Sequence, residues 1–161
     1  MILPPLLTLD TCGGDWERYL ECVHDVYLSQ IVRGGLTFRG LRVATRRTPE
    51  TRGKGYGFWH MIQEGRVEED RMPDLRRCER LCWVPHVIRA ADRADPRVSV
   101  WQNVRGGNIH VPLWLEDEDY LVILAQRQGH WLLKTQYIVT YRNRREALRQ
   151  ERDAFLVAQN G

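Results

Sequence analysis

The chain has 161 residues, the size of one ordinary domain, and 43% of them are hydrophobic, enough for a core that needs neither a metal nor disulfides. Lys+Arg is 24 against Asp+Glu 21, a formal net charge of +3, and there are four cysteines; these numbers exclude a disulfide scaffold and a polybasic coating protein. No apolar run approaches the ~20 residues of a membrane helix and the start, MILPPLLTLD, has no basic n-region, so no membrane partner and a cytoplasmic location are expected.

Residues 1–13 read as an extended or loosely attached arm, with Pro4-Pro5 and Gly13-Gly14 as breakers. A single domain over 14–161 is expected to follow it. Asp15 is placed as a helix N-cap, and Trp16, Tyr19, Leu20, Val23, Val26, Tyr27 and Ile31 recur at helical spacing up to Gly34-Gly35. Residues 36–47 alternate loosely and predict one strand; 48–57 predict a Gly-rich basic loop; 58–65 predict a short helix. A second helix is expected over 74–91, kinked or broken by Pro85. Strands are expected over 98–104, 109–116, 119–127 and 130–141, the last two joined by a turn at Gln128-Gly129. A basic amphipathic helix over 142–157 closes the chain. Runs of strands rather than strict alternation predict an α+β fold: helices packed on an antiparallel sheet of about four strands, with the basic C-terminal helix.

The strand His130–Tyr137 carries a hydroxyl and a phenol two residues apart. Strict alternation puts Thr135 and Tyr137 on one face with Trp131 and Leu133, and Lys134 on the other. Thr and Tyr are also simply good strand formers. His60 lies among aromatic residues, with Glu64 one turn on; such a histidine serves either as a general acid or base or as a residue at a helix start. Cys78, Cys82 and His86, at i, i+4 and i+8, have zinc-ligand chemistry, but Pro85 disturbs the helix and no fourth ligand is evident. The expected metal set is therefore none.

The basic residues are uneven in kind: only Lys54 and Lys134 are lysine, the other 22 being arginine, whose planar donor fork suits phosphate. Arg46, Arg52 and Lys54 precede His60, and Arg142 and Arg144 follow the Thr135/Tyr137 strand. There is no GxxxxGK[ST], GxGxxG, HExxH or GxSxG motif, so no cofactor is expected.

Three segments together resemble the phage and prophage branch of the barnase/EndoU/colicin/RelE-like nuclease superfamily: GFWHMIxEG, then PDLRRCERLCW, then WLLKTQY followed by YRNRREAL. The resemblance covers roughly residues 36–155. It implies a metal-independent endoribonuclease in which the ribose 2′-hydroxyl attacks the adjacent phosphate, leaving a 2′,3′-cyclic phosphate. It implies His60, Thr135 and Tyr137 as catalytic residues, with Arg46, Arg52, Lys54, Lys134, Arg142 and Arg144 holding phosphate. RNA, with tRNA among the candidates, and an immunity or antitoxin protein are the implied partners. The alternative is a non-catalytic RNA- or protein-binding module, such as an inhibitor of a host system, using six tryptophans as an interface.

Overall fold

The computed structural model describes residues 1–65 and 71–160; residues 66–70 and 161 of the expected domain lie outside these. Asp15 caps α1 (Trp16–Val26), its side chain accepting from the Glu17 and Arg18 amides, and the helix runs on through a π-helical turn, Tyr27–Val32. The expected strand 36–47 is a hairpin instead. β1 (Thr37–Phe38) and β2 (Leu41–Ala44) are joined at Arg39-Gly40, both with positive φ. The expected loop 48–57 also holds a hairpin, β3 (Glu50–Thr51) with β4 (Lys54–Gly55), and its last two residues begin α2 (Tyr56–Ile62). β5 (Gln63–Glu64) pairs with β6 (Met72–Pro73).

The helix expected over 74–91 is two. α3 (Leu75–Arg80), capped by Asp74, passes through a 3-10 turn, Leu81–Trp83, into α4 (Val84–Asp92). Pro85 sits in the first turn of α4, where a missing N–H leaves no hydrogen bond unmade. The bend takes Cys78, Cys82 and His86 off one face. Cys78 is fully buried, the Cys82 thiol donates to the Pro5 and Glu79 carbonyls, and among the described residues the three form no metal-binding group.

β7 (Val98–Val100), β8 (Asn103–Arg105), β9 (Asn108–Leu115), β10 (Tyr120–Arg127) and β11 (His130–Ile138) follow, then α5 (Arg142–Asn160). The fold is α+β. The antiparallel sheet of about four strands is corrected to a mixed sheet of seven. Its order is β1-β2-β11-β10-β9-β7, with β8 also paired to β9, and β2 runs parallel to β11. The expected strands 36–47 and 98–104 each divide in two, into β1 and β2 and into β7 and β8, while β3–β4 and β5–β6 form separate two-stranded sheets; the long crossover from β2 through the helices permits the parallel pair.

α1 to α4 cover one face of the sheet, burying residues such as Phe58, Ile62, Val87, Val122 and Leu133. α5 covers the other through Leu148, which packs with Trp101, Trp114, Leu121 and Val139. The N-terminal arm is irregular over residues 1–8, ends in a 3-10 turn, Leu9–Cys12, and is pinned rather than loose: the Leu7 amide donates to Glu79, the Trp83 indole to the Pro4 carbonyl and the Tyr19 hydroxyl to the Leu7 carbonyl. Five tryptophans are at most 8% exposed and only Trp16 reaches 36%, so the tryptophans build the core rather than the expected interface.

Candidate functional site

β11 is irregular where the chemistry lies. Ile123 faces Thr135 but Leu124 faces Leu133, so Lys134 is an extra residue, a β-bulge. The bulge reverses the alternation. Trp131 and Leu133 face the α1–α4 side, whereas Tyr137 packs on the α5 side with Trp114 and Leu121. Thr135 and Tyr137 still share a face, but not that of Trp131 and Leu133. Gln136 turns into the helix side, where its Nε2 donates to the Met61 and Arg77 carbonyls at 2.8 and 3.0 Å. β2 pairs only with Trp131 and Leu132, so the rest of this β11 edge receives α2 and α3 instead of a strand.

α2 presents His60 between two cavities. One, of about 250 Å³, is lined by Arg52, Tyr56, His60 and Arg71; the other, of about 280 Å³, by Arg46, Tyr56, His60, Arg127 and Lys134. The first turn of α2 lies against the backbone of residue 46, the Gly57 amide donating to the Arg46 carbonyl at 2.7 Å. A Cβ at Gly57 would stand 2.7 Å from that oxygen and 2.8 Å from the Tyr27 hydroxyl, so only glycine lets the two segments approach. The approach sets the Arg46 guanidinium 4.1 Å above the Tyr56 ring, and His60 stacks on the same ring at 5.6 Å.

Arg71 Nη1 meets His60 Nδ1 at 2.6 Å. Guanidinium has no lone pair to offer, so Nδ1 is the acceptor and the neutral ring carries its proton on Nε2. Burial, then the charges of Arg71, Lys134, Arg77 and Arg46, push the His60 pKa down to about 4; a cation is disfavoured among cations. Burial, then Arg127 and Arg46, also pull the Lys134 ammonium below its usual value.

Arg77, on α3, connects this site to β11. Its Nη1 donates to the Gln63 carbonyl at 2.8 Å and to Thr135 Oγ1 at 3.4 Å, and its guanidinium lies 5.4 Å from the Tyr137 ring centre. Arg144 Nη2 donates to the Tyr137 hydroxyl at 3.3 Å. Since Thr135 and Tyr137 each accept a bond from an arginine, each keeps its own proton free to donate.

Of the residues singled out from the sequence, His60, Arg46, Arg52 and Lys134 line the two cavities; Thr135, Tyr137 and Arg144 line neither, and Arg77 links Thr135 and Tyr137 to Gln63 at the edge of the first. Two residues expected to hold phosphate stand apart from the cleft. Lys54 is buried and ion-paired with Glu21 at 2.6 Å, so its charge is already used in tying the β3–β4 hairpin to α1. Arg142 is exposed at the start of α5, beside Tyr141 and Glu146, and lines neither cavity. Arg71, Arg77, Arg127 and Tyr56 were missed. Arg77 alone left a signal, standing beside Cys78 on what reads as a buried helix stripe.

Fold and cleft define an α+β protein whose cations converge on a neutral histidine, with no carboxylate lining either cavity among the described residues. No protein-family model, curated protein or solved structure matches the chain.

One prediction belongs to the histidine itself. In NMR titration the free protein's His60 is expected to change charge near pH 4, and added sulfate, an anion of constant charge in this range, to raise that midpoint. Its folded pKa of about 4 lies below the ordinary 6.5, so the unfolded chain binds the proton first. The stability this group contributes is complete above about pH 6.5 and declines as pH falls toward 4. A His60 midpoint of 6 to 7 in the free protein would contradict the tautomer and the cation cluster together.

Proposed function

We propose that the protein is a metal-independent endoribonuclease of the barnase/EndoU/colicin/RelE-like kind, acting on RNA at the His60 cleft. One observation carries the reading: a neutral imidazole held by Arg71 and flanked by Arg46, Arg77 and Lys134, with the Thr135 hydroxyl poised by Arg77. RNA brings its own nucleophile, so the protein must supply a base, an acid and positive charge.

A phosphodiester entering the cleft competes for Arg71. Once that guanidinium turns to a phosphate oxygen, Nδ1 of His60 is free to take the 2′-hydroxyl proton. The 2′ oxygen bonds to phosphorus, the bond from phosphorus to the 5′ oxygen breaks, and a 2′,3′-cyclic phosphate and a 5′-hydroxyl result. Arg77 and Arg46 neutralise the charge that grows on the phosphate, and Thr135 donates to a non-bridging oxygen. Lys134, made more acidic by burial, returns a proton to the departing oxygen. Tyr137 orients the phosphate from the β11 side.

Incubation of the protein with total RNA in EDTA is expected to give fragments ending in 2′,3′-cyclic phosphate. RNA left intact while still bound would make the protein the binding module of the alternative reading. Cleavage that EDTA abolishes would overturn the mechanism.

A further inference from the structure

The cleft does not end at Arg46. That residue also lines a cavity of about 370 Å³ with His24, Tyr27, Arg33 and Arg47. Through Val32, Thr45 and Arg47 this cavity meets another of about 460 Å³, which Arg42 and His130 line. The cavities thus adjoin one another through shared lining residues, from His60 to β2 residues 42–44. At about 3.3 Å per residue, Arg42 to Arg46 alone spans about 13 Å of extended chain.

The charges along these cavities differ from those elsewhere. On α5, Arg145 pairs with Asp119, Arg149 with Glu116 and Glu146, and Arg152 with Glu116 and Asp153. Among the described residues none of Arg33, Arg42, Arg46, Arg47, Arg127 or Lys134 has a carboxylate within 4.0 Å. Among the described residues Glu50 is the one acidic residue lining these cavities. A chain of net charge +3 thus leaves a row of arginines unneutralised along one groove, which fits a partner that carries a charge at every repeat.

Aromatic rings interleave with these cations. Tyr56 lies under Arg46 at the His60 end, and His24 stacks with Tyr27 at 6.4 Å further along. Separate recesses beside a basic path suit unstacked bases, which a single strand offers and a duplex does not. We propose that the His60 cleft is one end of a track for single-stranded RNA, in which Arg33, Arg42 and Arg47 hold backbone phosphates beyond the scissile one. The proposal rests on the ribonuclease reading for its ligand and extends it from a phosphate site to a strand several nucleotides long.

The test uses fluorescein-labelled oligothymidylates, a tetramer and a dodecamer, because deoxyribose lacks the 2′-hydroxyl and binding is read without cleavage. Fluorescence anisotropy is followed across a range of KCl concentrations. The dodecamer is expected to bind roughly 10²-fold more tightly than the tetramer, and the double substitution Arg42→Ala, Arg47→Ala to remove most of that gain. Each lost phosphate contact should lower the salt slope by about 0.7, so by about 1.4 for the pair. Both side chains are exposed, and circular dichroism checks that the variant folds. Equal affinity for the two lengths, an unchanged slope in the variant, or equally tight binding of a duplex or polyglutamate would overturn the track. Strong dodecamer binding by a protein that leaves RNA uncut would end the ribonuclease reading and leave the track standing.

Discussion

Replacing His60 with alanine is expected to slow RNA cleavage by roughly 10²–10⁴-fold, the usual weight of a general acid–base group, while the protein remains folded. The loss should fall on kcat rather than KM, because the cations that hold the phosphate are untouched. The side chain is half-buried and opens on two cavities, so water can reach Arg71 once the imidazole is gone. Retained stability is therefore expected, read as an unchanged urea midpoint. His60→Gln supplies the sharper control. Its amide oxygen can still accept from Arg71, yet it cannot take a proton at neutral pH. If the imidazole only anchored Arg71, glutamine would restore cleavage; if it moves the proton, glutamine stays as slow as alanine. Undiminished cleavage by both variants would remove His60 from the mechanism.

What the sequence made legible was mainly local. Asp15 and the spacing from Trp16 to Ile31 mark α1, because capping and amphipathic periodicity are properties of adjacent residues. Gln128-Gly129 marks the β10–β11 hairpin for the same reason, and His60 was picked out by the aromatic residues beside it. The parallel pairing of β2 with β11 left no local mark: its register, Val43 with Trp131, joins residues far apart in the chain. The bulge at Lys134 was equally hidden. One extra residue reverses every side chain beyond it, so alternation gave Thr135 and Tyr137 the right relation to each other and the wrong one to Leu133.

Charge shows the same division. Lys54 and Arg77 are both basic residues near aromatic sequence, and composition cannot separate them. Lys54 meets Glu21 of α1 at 2.6 Å and is neutralised; Arg77 pairs more loosely through Nε with Asp74 at 3.9 Å and turns Nη1 to Gln63 and Thr135. Which arginines keep their charge for a ligand is decided by where the carboxylates fall in three dimensions.

Gln136→Leu is the second large effect, and it tests how the site is held rather than how it reacts. Gln136 is wholly buried. The Met61 and Arg77 carbonyls can only accept, which fixes the amide nitrogen toward them and leaves Oε1 to accept from the Tyr120 hydroxyl at 2.7 Å. Leucine fills the space but leaves those two carbonyls without this donor, while the Tyr120 hydroxyl keeps the Arg80 carbonyl at 3.1 Å. At about 1–3 kcal/mol for each of the two buried carbonyls stranded, a loss of about 2–6 kcal/mol is expected, seen as a lower urea midpoint at constant slope. Cleavage should fall as well, because Met61 follows His60 and Arg77 bears the guanidinium on Thr135, and both helices lose their common tie to β11. Gln136→Glu separates polarity from shape. A buried carboxylate facing two carbonyls has its pKa raised, so stability is kept at pH below the unfolded value near 4.3 and lost as pH rises through the folded one. Relative to the wild type at each pH, this variant should therefore be least stable at neutral pH and recover on acidification. A leucine variant with the wild-type urea midpoint would mean that packing alone, without this amide, sets α2 and α3 on the strand.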